Sequence, residues 1–280
     1  MSSKTKVVLV TGCSEGGIGF SLCEQFAEQG CKVYATARNI EKMQGFTHAG
    51  IEKLTLDVKN DEDVKRVVED VIDREGSIDI LVNNAGVGCF GPVLEIPLDQ
   101  IRDVFEANTF SILRVSRVVV PHMAARKQGL IVNIGSVVGE IPTPWAGIYA
   151  SSKAATHAIT QVLAMECAPL GVDVTLVAPG GVRSNISSSA SPTFTLPPDT
   201  LYAKFLDNII ARMWASQSPQ SMPTPVFARE VVAKVLQSKP PFYVTLGHNS
   251  TIFKVFKWLP RTWVMGYLWK LFSSPKAGAK

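Results

Sequence analysis

The chain has 280 residues, 46% of them hydrophobic, which is enough apolar material for one large core and too much for a disordered segment. Its formal charge of +4 is unevenly spread: from Val231 onward there are eight basic residues and no acidic one, so the preceding 230 residues hold 20 basic against 24 acidic side chains. That balance excludes a nucleic-acid-binding face spread over the body and leaves a local basic tail.

The N-terminal segment, Met1 to Lys6, runs at once into a short apolar stretch, without the long apolar segment or cleavage site of a secretory signal. The five cysteines, Cys13, Cys23, Cys31, Cys89 and Cys167, are odd in number and show no CxxC or metal-ligand spacing, so buried reduced thiols are expected. Both features point to a cytosol-facing, reducing compartment. β-Branched apolar runs at Val7–Thr11, Cys31–Thr36, Ile51–Leu56, Ile78–Val82, Leu130–Ile134 and Val172–Val177 predict strands, with Phe242–Leu246 as a seventh. Most are separated by stretches long enough for a helix, which requires crossover connections and therefore a parallel sheet. The predicted fold class is α/β: a single doubly wound Rossmann-type domain over residues 1–250, followed by an amphipathic C-terminal segment, 251–280.

The first strand ends in Thr11-Gly12-Cys13-Ser14-Glu15-Gly16-Gly17-Ile18-Gly19, and a helix is expected from Ile18 to Gln29. A strand, a glycine turn and a helix N-terminus form a phosphate cradle, because glycines admit a pyrophosphate to the backbone and the first helical N–H groups are unpaired. The second strand closes with Tyr34-Ala35-Thr36-Ala37-Arg38-Asn39. An NAD site places a carboxylate there for the ribose 2′-hydroxyl, whereas Arg38 suits the 2′-phosphate of NADP.

Downstream, Ser136 follows the fifth strand, and Tyr149-Ala150-Ser151-Ser152-Lys153 opens a helix. Reduction of a carbonyl by hydride transfer leaves charge on its oxygen, so a proton donor and a hydrogen-bond donor must both face that atom. Tyr149 is the expected acid in reduction and base in oxidation, and Ser136 the group that orients the oxygen. An unperturbed tyrosine titrates near about 10, and Lys153, one helical turn along, is placed to favour the phenolate. His48, His122, His157 and His248 are scattered without ligand spacing, so no metal centre or histidine-based nucleophile is expected.

These pieces, with Leu56-Asp57-Val58, Asn83-Asn84-Ala85-Gly86, Asn108 and Pro179-Gly180-Gly181-Val182, resemble the short-chain dehydrogenase/reductase family in order and spacing from Thr11 to about Ser184. The resemblance implies an oxidoreductase with Asn108, Ser136, Tyr149 and Lys153 as catalytic residues, Asn108 supporting a proton-relay water and Lys153 also contacting the nicotinamide ribose. It further implies a dinucleotide site at Gly12, Ser14, Gly17, Ile18, Gly19, Arg38, Asp57, Val58, Asn84, Gly86, Val182 and Ser184. Asp57 and Val58 would face the adenine, Asn84 and Gly86 the adenosine side, and Val182 the carboxamide. Two departures stand out. Four residues separate Gly12 from Gly17 where the family has three, so the turn is longer or uses Gly16, and Glu15 near a 2′-phosphate would be unfavourable. Ser184 replaces the threonine of many members but keeps the hydroxyl.

The stretch Ser184–Pro198, rich in Ser, Pro and Thr, is expected to be a surface loop or a substrate lid within a lid region spanning 184–225. A helix over Leu201–Trp214 carries Leu201, Phe205 and Ile209 on one side with Tyr202 nearby, either as core or as an apolar substrate pocket to which Ile141 and Trp145 could add. The tail from Thr251 to Phe272 interleaves ten aromatic and leucine side chains with Lys254, Lys257, Arg261 and Lys270, and Pro260 breaks it. No apolar run reaches the roughly 20 residues of a spanning helix. Such a tail fits either an interfacial helix on anionic lipid or a segment packed on the core or on a second copy, since family members are often homo-oligomers.

Within the family the chain is similar to fungal 1-acyldihydroxyacetone-phosphate reductases and, more distantly, to 17β-hydroxysteroid dehydrogenases. The expected function is NADPH-dependent reduction of a hydrophobic ketone on the cytoplasmic side of a membrane such as the endoplasmic reticulum or a lipid droplet. The rivals are a hydroxysteroid or other secondary-alcohol dehydrogenase and a non-catalytic NADP-binding sensor or scaffold.

Overall fold

The computed structural model describes residues 5–274; the start of the segment read for targeting, and Lys276 and Lys280 of the basic tail, lie outside them. Seven strands form one parallel sheet: β1 (Val7–Thr11), β2 (Lys32–Ala37), β3 (Ile51–Thr55), β4 (Ile80–Asn83), β5 (Gly129–Ile134), β6 (Val172–Val177) and β9 (Tyr243–Val244), in the order β3-β2-β1-β4-β5-β6-β9. Two short strands, β7 (Val182–Arg183) and β8 (Met222–Pro223), pair beside it. The helices are α1 (Ile18–Glu28), α2 (Asp61–Glu75), α3 (Leu98–Phe105), α4 (Ser111–Ala125), α5 (Gly147–Cys167), α6 (Ile186–Ala190), α7 (Leu206–Met213), α8 (Thr224–Val235), α9 (Ser250–Phe256) and α10 (Arg261–Ser273).

The double winding follows from the alternation of side chains along each strand. Val8, Val10, Val33, Ala35, Ile80, Val82, Leu130 and Val132 face one core with Leu22, Phe26, Phe227 and Val231 from α1 and α8. Their sequence neighbours Val7, Leu9, Tyr34, Leu81 and Ile131 face a second core with Val64, Val68, Val115 and Val119 from α2 and α4. A sheet buried on both faces needs apolar residues at every strand position, which explains the near-continuous Val/Ile/Leu runs. Each fully buried Leu or Phe contributes roughly 1.5–3 kcal/mol. Sequence and structure agree on all seven sheet strands to within two residues at most ends. The exception in kind is the lid helix, which begins at Leu206 rather than Leu201. Glu95 anchors the start of the preceding segment, accepting from the Thr200 hydroxyl at 2.6 Å and the Leu201 N–H at 3.0 Å, and Ala203–Phe205 form a tighter 3-10 turn before the helix.

Strand order reverses between β1 and β4, because the chain winds outward from β1 to β3 and then crosses back. In open parallel sheets this switch point opens a crevice at the carboxyl ends of the strands. Here that crevice is a cleft of about 870 Å³.

Candidate active site

The floor of the cleft is a stapled pair of turns. Thr11 Oγ1 accepts from the N–H groups of Asn84 and Ala85, both at 3.1 Å, while Asn84 Nδ2 donates to the Thr11 and Gly12 carbonyls, both at 2.9 Å. Gly19 lies against this staple: a Cβ there would sit 2.4 Å from Asn84 Nδ2 and 2.6 Å from the Gly12 carbonyl oxygen, so only hydrogen fits. The extra residue of the glycine turn is absorbed at Gly16, whose φ of +77° is open to few other residues. That excursion carries Glu15 away from the cleft: its N–H donates to the Lys42 carbonyl at 2.8 Å, its carboxylate lies beside Gly45, and Asn185 Nδ2 donates to its carbonyl. Gly17, the N-cap of α1, offers no side-chain cap, which leaves the first N–H groups of the helix uncapped at an end where Gly17 and Ile18 line the cleft. Ser14, Arg38, Asn39 and Lys42 complete this end.

At the other end, Ser136 caps a short helical turn after β5, its hydroxyl accepting from the Val138 N–H at 3.4 Å. Tyr149 and Lys153 stand one turn apart on α5. Burial raises the Tyr149 phenol above its usual range; a hydrogen bond with Ser136 and the charge of Arg212 oppose that rise. Lys153 is buried, donates to the Ile134 carbonyl at 2.8 Å, and is pushed down to about 8 by desolvation. Its Nζ lies 5.9 Å from the Tyr149 ring centre. In this geometry Ser136 and Arg212 favour the phenolate, while Lys153 donates its hydrogen bond to the end of β5.

Of the residues read from the sequence, Gly12, Ser14, Gly17, Ile18, Arg38, Asp57, Val58, Asn84, Gly86, Ser136, Tyr149, Lys153, Val182 and Ser184 all line this one cleft. Gly19 and Asn108 do not. Asn108 sits in a π-turn, residues 106–110, between α3 and α4, and its side chain is consumed by the loop after β4: Oδ1 accepts from the Val87 N–H at 2.7 Å, and Nδ2 donates to the Val87 carbonyl at 2.9 Å and to Ser152 Oγ at 3.0 Å. His157 extends the Tyr149–Lys153 face by one more turn. Its Nε2 accepts from the Ser136 N–H at 3.2 Å, so the ring is neutral at that atom, and burial lowers its pKa to about 4. Sequence reasoning assigns His157 no role, and its only signal is the i, i+4, i+8 spacing with Tyr149 and Lys153.

The short chain dehydrogenase family profile matches residues 6–194. The chain belongs to the short-chain dehydrogenase family. It is 38% identical over 201 residues to the NADPH-dependent 1-acyldihydroxyacetone phosphate reductase of Schizosaccharomyces pombe, covering 70% of this chain and 68% of that protein. It is 31% identical over 279 residues to a short-chain dehydrogenase of Aspergillus ruber, covering 97% and 95%. Among solved structures, a short-chain dehydrogenase from Streptomyces avermitilis superimposes with a TM-score of 0.82 at 30% identity, over 96% of this chain and 97% of that one.

In this short-chain dehydrogenase the side chains that read either as core or as pocket fall outside the cleft. Leu201, Tyr202, Phe205, Ile209, Ile141 and Trp145 do not line it. Trp145 instead packs against Tyr202, Phe205 and Trp269 with ring centres 6.0, 5.1 and 5.6 Å away, and its Nε1 donates to the Phe272 carbonyl at 3.0 Å. Ile141 lies under Phe256, Val264 and Leu268 of the tail. The wall is built by Phe90, Thr143, Arg212 and Met213, with Phe253 and Phe272 contributed by the tail itself. Lys257 reinforces the docking of the tail through a 2.7 Å ion pair with Glu140.

Proposed function

We propose that the protein is an NADPH-dependent reductase of hydrophobic, lipid-like ketones, with an acyl-dihydroxyacetone phosphate as the leading substrate. The observation that carries this reading is that Ser136, Tyr149 and Lys153 share one cleft with the glycine turn on one side and an aromatic wall on the other. The residues fit the dinucleotide: the uncapped start of α1 offers N–H groups to a pyrophosphate, and Arg38 and Lys42 offer two cations at the end of β2 to a 2′-phosphate. When bound, the reduced nicotinamide would supply a hydride, a hydrogen with its electron pair, to the carbonyl carbon. Tyr149 gives its proton to the carbonyl oxygen, Ser136 donates a hydrogen bond to the same atom, and His157 holds the Ser136 backbone in place. The activity in the name of the Schizosaccharomyces pombe relative supports the same chemistry here.

The test is a panel of an acyl-dihydroxyacetone phosphate and a bulky ketosteroid, each with NADPH and with NADH. Acyl-ketone turnover with NADPH at least about tenfold above NADH is expected, one charge-assisted contact being worth that much. A ketosteroid reduced with the higher kcat/KM would transfer the assignment to a steroid dehydrogenase, and no turnover on any pair would favour a dinucleotide-binding sensor.

The same reading places the protein peripherally on the cytoplasmic side of a membrane such as the endoplasmic reticulum or a lipid droplet. No helix among the described residues is long and apolar enough to cross a bilayer. The tail turns one face to the body, yet Trp258 is 90% exposed, and Trp263 and Tyr267 stack in the open with ring centres 5.7 Å apart. Aromatic rings beside Lys254, Arg261 and Lys270 suit an anionic interface. Wild-type protein is expected to float with anionic liposomes, and Trp258→Ala with Trp263→Ala to stay soluble. Equal soluble fractions would reject membrane binding. This pair is a better probe than deleting the tail, which would strip Phe253 and Phe272 from the cleft.

A further inference from the structure

The aromatic wall contains one residue that an apolar pocket does not need. Arg212 follows Ile209 by one turn on α7, on the side that packs inward, where the amphipathic pattern calls for a hydrophobic side chain. Its guanidinium carbon lies 5.8 Å from the Phe90 ring centre and 5.3 Å from that of Phe272, and Nε donates to Thr143 Oγ1 at 2.9 Å. Among the described residues no carboxylate pairs with it, and its two terminal nitrogens make no hydrogen bond to the protein. Every other element of the arrangement fixes the plane of the guanidinium while leaving its fork free, in the cleft that also holds Tyr149.

An unpaired cation half-buried between two aromatic rings is costly, and loss of water pushes this guanidinium down to about 10. The cost is recovered when an anion enters, because a fixed planar fork matches phosphate or carboxylate oxygens two at a time. Flanking rings add cation–π attraction and exclude water that would weaken the pair.

We propose that Arg212 is the anion-recognition residue of the substrate pocket, selecting ketones that carry an acidic headgroup beside the reacting carbonyl. The inference rests on the assignment of this cleft to a hydrophobic ketone and narrows it: the substrate is an amphiphile whose anionic head sits on α7 while its chain follows the Phe253–Phe272 wall. A neutral steroid would leave the guanidinium unpaired.

The experiment measures binding as well as turnover. With the full chain, with and without NADP, affinities for a 1-acylglycerol 3-phosphate and for the chain-matched 1-acylglycerol are compared by calorimetry, in wild type, Arg212→Met and Arg212→Lys. In wild type the phosphate lipid is expected to bind about 10- to 100-fold more tightly than the neutral one, the value of a charge-assisted pair. Arg212→Met should erase that preference while leaving neutral-lipid affinity within about threefold, and Arg212→Lys should restore part of it. A carboxylate-headed analogue that binds as tightly as the phosphate assigns the site to anions in general; weaker binding assigns it to phosphate. Equal binding of charged and neutral lipids by wild type, or equal losses for both in Arg212→Met, would overturn the proposal. Preferential binding without turnover on the acyl ketone would leave the anion site standing and remove the reductase assignment instead.

Discussion

Tyr149→Phe is expected to lower kcat for ketone reduction by about 10²- to 10⁴-fold, the range over which a positioned general acid contributes. The substitution removes one oxygen from a side chain that stays packed beside Ile96 and Ile148, so dinucleotide affinity should change by less than about twofold. Burial is the dominant influence on the phenol and raises its pKa, which keeps the acid protonated at neutral pH. A raised pKa means that the proton is present below it and lost above it. The reduction rate should therefore hold level through neutrality and decline at alkaline pH, while the reverse oxidation should climb with pH as the phenolate forms. Tyr149→Phe should flatten both limbs. Stopped-flow turnover across pH, with dinucleotide binding measured separately, checks the result; a variant retaining more than about a tenth of wild-type kcat would mean that the proton comes from elsewhere.

The pH behaviour also depends on how the catalytic face is assembled. Three side chains one turn apart on α5, the half-buried Tyr149 and the buried Lys153 and His157, reach respectively toward the Ser136 hydroxyl, the Ile134 carbonyl and the Ser136 N–H. The helix thus grips the end of β5 at three points, and the serine loop is held by backbone as well as by side chain. On the far side of His157, Glu140 lies 3.8 Å from Nδ1 and pairs with Lys257 of the tail. The C-terminal segment therefore bears on the loop that presents Ser136, in addition to lining the cleft.

How much of this was legible in the sequence varied with the kind of interaction. Strands buried on both faces write their identity as continuous runs such as Val7–Thr11, and the glycine turn and Tyr149–Lys153 spacing are local patterns with one chemical reading. Arg212, Lys42 and the Phe253–Phe272 wall were not legible, because each acts through contacts between segments far apart in the chain. Lys42 lines the cleft from a short turn on whose backbone the lengthened glycine turn docks through Glu15. Trp145, close to Tyr149 in the chain, is only a candidate addition to a pocket, and at a φ of +66° its ring packs under the tail. Asn108 matches the family pattern in position, and its side chain is occupied by Val87 and Ser152.

Replacing both Arg38 and Lys42 with alanine is expected to raise the KM for NADPH by about 10²-fold or more while changing NADH kinetics by less than about threefold, since each charge-assisted contact to a phosphate is worth roughly 1.5–3 kcal/mol. The two cations would share one dianion, so the double variant should lose less than the product of the single losses. Arg38→Asp should go further and invert the preference, because a carboxylate at the end of β2 repels the 2′-phosphate and accepts a hydrogen bond from a 2′-hydroxyl. Glu15 provides an internal control: its carboxylate is held beside Gly45, outside the cleft, so Glu15→Gln should leave the NADPH/NADH ratio nearly unchanged. Parallel losses with both dinucleotides in the double variant would show that these side chains support the turn rather than read the phosphate. A large shift in Glu15→Gln would show that the inserted residue does face the ribose, and that the lengthened turn tunes cofactor choice from the opposite side.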